Sequence, residues 1–154
     1  IRPRTIIYFT AWVGVGLAML FTLIHRTQLD VNVVPDRNPL YVTLSDGAIR
    51  NGYTVKILNK RQEARTFRLS VEDLPGASME MVGDTGAKGT SFDIPVDPDK
   101  LKAVKIYVST DDPEIIKSER SKFEFKVEEL NPKGDAPAES RTYDALFHGP
   151  EDKE

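Results

Sequence analysis

The sequence predicts an all-β fold, an immunoglobulin-like antiparallel β-sandwich, preceded by a single transmembrane α-helix. Three observations lead there. Residues 5–24, TIIYFTAWVGVGLAMLFTLI, carry no charge in a chain that is otherwise 29% charged. After residue 26, about eight short segments alternate apolar and polar side chains with the two-residue period of a half-buried strand. Pro-, Gly- and Asp-containing turns separate them at the spacing of a sandwich, and helical periodicity is almost absent.

The opening run is about 20 residues, which at about 1.5 Å per residue gives about 30 Å of helix, the thickness of a bilayer's hydrocarbon core. A cleaved signal peptide is the alternative, but its apolar core is usually about 7–15 residues and ends at a small-x-small site. Here the run is longer and closes on TLIHRTQL. Arg2 and Arg4 precede the helix while only Arg26 closely follows it. Positive residues in short flanks stay cytoplasmic, so the domain after the helix is expected outside, in the periplasm of a Gram-negative cell. Ala11, Gly14, Ala18 and Thr22 share one helix face on which another helix could pack closely. Tyr8, Phe9 and Trp12 lie near one end, where amphipathic rings favour the headgroup level. The chain begins at Ile1 rather than Met, and the expectation is that it is the tail of a longer protein, this helix being the last crossing. The divisions are 1–26 for the helix and its cytoplasmic flank, 27–150 for the outer domain, and 151–154 for an acidic, solvated tail.

The strands follow in order. LDVNVV (29–34) runs to Pro35, and PLYVTL (39–44) ends at Asp46-Gly47, a tight-turn pair. YTVKIL (53–58) puts Tyr53, Val55 and Ile57 on one face, and TFRLSV (66–71) does so with Phe67, Leu69 and Val71. The polar NKRQEAR between these two suits a hairpin. Past Pro75-Gly76 come MEMV (79–82), the Gly-rich GDTGAKGT, and SFDIPV (91–96). AVKIYVS (103–109) and KFEFKVE (122–128) repeat the period, the latter with Phe123, Phe125 and Val127 inward and Glu124, Lys126 and Glu128 outward. TYDALF (142–147) is the last.

Composition narrows the chemistry. The net charge is -3 and the Lys and Arg residues are scattered, so nothing supplies the counterion release that nucleic-acid binding needs. With no cysteine, disulfides, thiolate metal ligands and cysteine-held iron–sulfur clusters are excluded from this chain. DTGA at 84–87 matches the aspartic protease tetrapeptide, but that chemistry needs two carboxylates sharing a proton and the sequence has one copy. GAKGT falls short of a phosphate-cradling loop. His25 and His148 are the only histidines, too few for a zinc site. Met79 and Met81 fall on one face of a strand, where paired thioethers suit Cu(I), but core packing or a half-exposed strand edge is the favoured reading, since methionine fills irregular gaps. The clusters VPDRN, STDDPE and VEDLPG read as turn formers without calcium-loop spacing. No nucleophile–base pair is visible. No catalytic or cofactor-binding residue is therefore expected.

The string DRNPLYVTLSDGAIRNGYTVKILNK (36–60), with RTFRLSVEDLPGA (65–77), RPRTIIY (2–8) and FHGP (147–150), resembles the C-terminal portion of the FixG/RdxA/CcoG family of cytochrome c oxidase accessory proteins. The resemblance implies a polytopic bacterial inner-membrane protein with ferredoxin-like motifs holding [4Fe-4S] clusters on the cytoplasmic side. It implies that the last helix leads to a periplasmic immunoglobulin-like domain. It also implies a part in building a high-affinity heme–copper oxidase by reducing copper before insertion. None of the cluster cysteines is present here, so the clusters are expected upstream. Membrane helices of the parent protein, oxidase subunits and copper chaperones are the candidate partners, and the segment 36–50 and the loop 84–90 are the candidate surfaces. An adhesion sandwich, a copper-binding module and a protease acting through Asp84 are the rival readings.

Overall fold

The computed structural model describes residues 2–24, 27–83, 88–130, 132 and 137–150. Helix α1 (Pro3–Ile24) opens with Pro3 in its first turn, where a missing N–H costs nothing. Its 22 residues extend about 33 Å, and none of them is buried. Among the described residues ten strands follow: β1 (Leu29–Pro35), β2 (Val42–Thr43), β3 (Ile49–Asn59), β4 (Arg65–Glu72), β5 (Ser78–Met81), β6 (Lys88–Gly89), β7 (Ser91–Val96), β8 (Leu101–Thr110), β9 (Arg120–Leu130) and β10 (Ser140–His148). A single helical turn, α2 (Pro113–Ile116), stands between β8 and β9.

The strands form two antiparallel sheets. One runs β1-β3-β8-β5-β6, with β2 beside β1 on the same flank of β3; the other runs β10-β9-β4-β7. The order β1-β3-β8-β5 facing β10-β9-β4 is that of an immunoglobulin constant-type sandwich, with β7 added on the free edge of β4. Strand β3 buries every second residue from Ile49 to Asn59, and β9 buries Phe123, Phe125, Val127 and Glu129. In antibody domains a disulfide ties the strands equivalent to β3 and β9. In this cysteine-free chain rings occupy that place. Tyr53 lies 5.5 Å from Phe123 and 5.2 Å from Phe125, edge to face, and Phe147 joins Phe123 at 6.5 Å. The buried Tyr53 hydroxyl donates to Leu146 O at 2.7 Å, joining the two sheets, and burial pushes its pKa far above the ordinary phenol range.

Three sequence expectations are corrected. NKRQEAR does not close a hairpin, because β3 and β4 belong to different sheets. Asn59, fully buried, donates to Glu63 O, Val96 O and Asp97 O and accepts from Arg61 N, folding the chain over the end of the sandwich. PLYVTL shrinks to Val42–Thr43: β1 pairs with β3 from Tyr53 to Asn59, Asp36 N takes Gly52 O, and β2 meets β3 only at Ile49 and Arg50. STDDPE is more than a turn: Asp112 accepts from Glu114 N and Ile115 N as an N-cap, and Pro113 starts α2.

Candidate functional site

The segment most specific to the resemblance, 36–60, folds along β3 and its flank. Asp36 N donates to Gly52 O at 2.9 Å, and its carboxylate, beside Gly52, meets Lys105 Nζ at 2.8 Å. A Cβ at position 52 would collide with Asp36 Oδ2, so glycine is what lets the carboxylate sit there. Beside it the Tyr107 ring lies under the Arg50 guanidinium at 4.5 Å. Asn51, 2% exposed, reaches the other sheet: with its amide oxygen turned to the His148 N–H, its Nδ2 donates to His148 O at 3.0 Å. The polar letters of the segment therefore serve the architecture. Asn51 and Asn59 tie the two ends of β3 to the opposite sheet. On the outer face Asp36, Arg50, Lys105 and Tyr107 form a polar ridge.

The opposite outer face carries a row of carboxylates. Glu124 on β9 stands in register with Glu72 on β4 and with Asp144 on β10. Glu124 and Asp144 rim a shallow depression of ≈ 450 Å³ together with Asp73, Lys122, Phe123, Ala145 and Leu146. Burial first, then the charges of Asp144 and Asp73, push the Glu124 carboxyl above its ordinary range. Lys126 bridges Glu72 at 3.1 Å and Glu128 at 3.0 Å, one row on.

Near the start of β4, Arg65 and Glu129 form an ion pair, 5% and 6% exposed. Arg65 Nε donates to Glu129 Oε1 at 2.7 Å, its Nη2 donates to Oε2, and its guanidinium covers the Phe67 ring at 4.9 Å. Glu139 N donates to Glu129 Oε2, and Arg61 pairs with Glu139 at 3.1 Å. Burial opposes charge on Glu129, but these hydrogen bonds and the two cations win and hold its pKa below the usual carboxylate range. Sequence reading missed this pair; an Arg and a Glu at inward-facing positions of alternating strands were the available signal.

The remaining sequence candidates are dispersed. Met79 is 1% exposed within the core and Met81 packs against it, so Met79 sulfur is enclosed by apolar side chains. Ala11, Gly14, Ala18 and Thr22 are exposed along α1, where Thr22 Oγ1 donates to Ala18 O. Asp84 and His25 lie outside the described residues, as do residues 85–87 of the loop and the tail 151–154. Among the described residues no group of three His, Cys, Asp or Glu side chains is disposed to hold a metal.

These features define a class: an immunoglobulin-like module joined to a helix long and apolar enough to cross a membrane. A family profile described as "IG-like fold at C-terminal of FixG" matches residues 19–150, and the chain belongs to the FixG family. It is 44% identical over 108 residues to the nitrogen fixation protein FixG of Rhizobium meliloti, covering 70% of this chain and 21% of that protein. It is 37% identical over 148 residues to protein RdxB of Cereibacter sphaeroides, covering 96% of this chain and 29% of that protein. The chain thus spans less than a third of the length of these relatives. The crystal structure of a FixG-related protein from Vibrio parahaemolyticus superposes with a TM-score of 0.58 at 18% identity, covering 80% of this chain and 98% of that one, and shares the fold.

Proposed function

We propose that this chain is the non-catalytic, membrane-anchored outer domain of a copper-reducing, ferredoxin-like accessory protein that supports assembly of a high-affinity heme–copper cytochrome c oxidase. In this reading the [4Fe-4S] clusters and the copper chemistry belong to the upstream part, α1 is the last crossing of the inner membrane, and the sandwich stands in the periplasm. The observation that carries the reading is the FixG-family sandwich joined directly to a membrane-length helix in a chain without cysteine. Its outer faces offer docking surfaces, the Arg50–Tyr107 ridge on one sheet and the carboxylate row on the other. The test removes residues 27–150 from the whole protein while keeping the helix, and measures assembled oxidase in membranes by its heme spectrum and oxygen consumption. Reduced assembly with unchanged levels of the truncated protein is the expected result. Oxidase at the level of the unmodified strain would refute the assembly role.

A further inference from the structure

The sandwich takes hold of the chain at Thr27, soon after α1 in the sequence. Two residues, 25 and 26, separate the end of α1 from Thr27. Thr27 Oγ1 accepts from Arg141 Nη2, Gln28 O accepts from Lys60 N at 3.0 Å, and Gln28 Oε1 accepts from Arg61 Nε at 2.8 Å. Leu29, 2% exposed, is already in the core and in register with Asn59. Antiparallel pairing therefore carries Lys60 and the turn beyond it back toward the helix, level with Gln28 and Thr27. The turn before β8 is bound into the same end through Asn59 N to Lys100 O and Asp99 N to Arg61 O, both 3.0 Å.

From this geometry we infer that this end of the sandwich, the turns 60–63 and 97–102, is a lipid-contacting surface that rests on the headgroup layer. The inference rests on the anchor reading above. From Ile24 to Gln28 the chain reaches at most about 14 Å. The headgroup region is about 5–8 Å deep on each side of the hydrocarbon, so turns projecting back from Gln28 meet it. Their surface suits that place. Leu101 is 57% exposed between Lys100 and Lys102, whose stems can lie along apolar surface with the ammonium groups among phosphates. Lys60 and Gln62 are exposed on the neighbouring turn. Glu63, Asp97 and Asp99 lie on the same turns and offset the lysines, so the contact needs no excess of anionic lipid.

The absence of cysteine makes the test direct. Single variants Gln62→Cys, Leu101→Cys and Ser45→Cys of the full chain are labelled with an environment-sensitive fluorophore. They are reconstituted in phosphatidylcholine vesicles containing lipids nitroxide-labelled at the headgroup. Ser45 lies beyond the opposite end of β3, about 33 Å away, and reports the distant pole. Quenching several-fold stronger at 62 and 101 than at 45 is expected. Equal quenching at all three, in chains that resist alkaline extraction from the vesicles, overturns the inference and leaves the anchor standing. Release by alkali overturns both.

Discussion

Glu129 and Arg65 show what one buried pair asks of its neighbours. Each charge has left water, and the pair holds because bidentate contact, the Glu139 N–H and the Phe67 ring replace what hydration supplied. Arg65 Nη1 has no hydrogen-bond partner among the described residues, so the network has little to spare. Removing one member strands the other: Glu129→Ala is expected to cost about 3–5 kcal/mol in urea unfolding, and the double replacement by Met and Leu much less. The pH dependence has a definite sign. Glu129 ionises more readily folded than unfolded, so its contribution is complete above the ordinary carboxyl value of 4.5 and is lost as pH falls through the depressed native value. Glu129→Gln should flatten that part of the acid unfolding profile; an unchanged profile would show that other carboxylates set it. At Gly52 the expectation is steric. Gly52→Ala forces the Asp36 carboxylate off Lys105 and Lys105→Met removes the same partly exposed ion pair, so both are expected to lower the unfolding midpoint by similar, small amounts.

At the scale of strands, the carboxylate row Glu72–Glu124–Asp144 sets three like charges in register across β4, β9 and β10, an arrangement that works against pairing. Glu124 is harder to ionise folded than unfolded, so the penalty is present at neutral pH and is relieved as pH falls through its raised native value toward 4.5. Glu124→Gln should therefore raise the melting temperature at pH 7 and leave it nearly unchanged at pH 4, the reverse of the Glu129 variant. A drop at both pH values would show that Glu124 is a packing residue. The contrast between these two glutamates also marks what the sequence could convey. Alternation located β3, β4, β7, β8, β9 and β10 because each buries one face, and the apolar run located α1. Alternation says only that a face is buried, not which sheet buries it, so NKRQEAR could be read as a hairpin when Asn59 turns it across the sandwich. Two-residue β6 is too short to show a period. The Glu129 charge was masked by the outward Glu124 and Glu128 of its own strand, and the carboxylate row exists only once strand register is known.

Over the whole molecule, the core and the helix are separate investments of apolar surface. The core is drawn from β1, β3, β4, β5, β7, β8, β9 and β10 with Leu74, and no residue of α1 takes part in it. Apart from the half-buried Val13, the large apolar side chains from Ile6 to Ile24 are more than half exposed, Trp12 at 75%. A helix apolar all round is satisfied by lipid or by other helices, not by this sandwich. The sandwich in turn needs nothing from the helix, since its ends are closed by Asn51, Asn59 and the Arg65–Glu129 pair. The two should therefore come apart without loss. Residues 27–150 produced alone are expected to be soluble and to unfold in one cooperative transition. Their urea midpoint should match that of the same sandwich still attached to α1 in detergent. Within that piece Phe125→Ala opens the ring cluster between the sheets and should cost about 3–5 kcal/mol. An isolated piece that aggregates or melts without cooperativity would mean that the helix contributes to the fold of the outer domain, and the division at residue 26 would have to be redrawn.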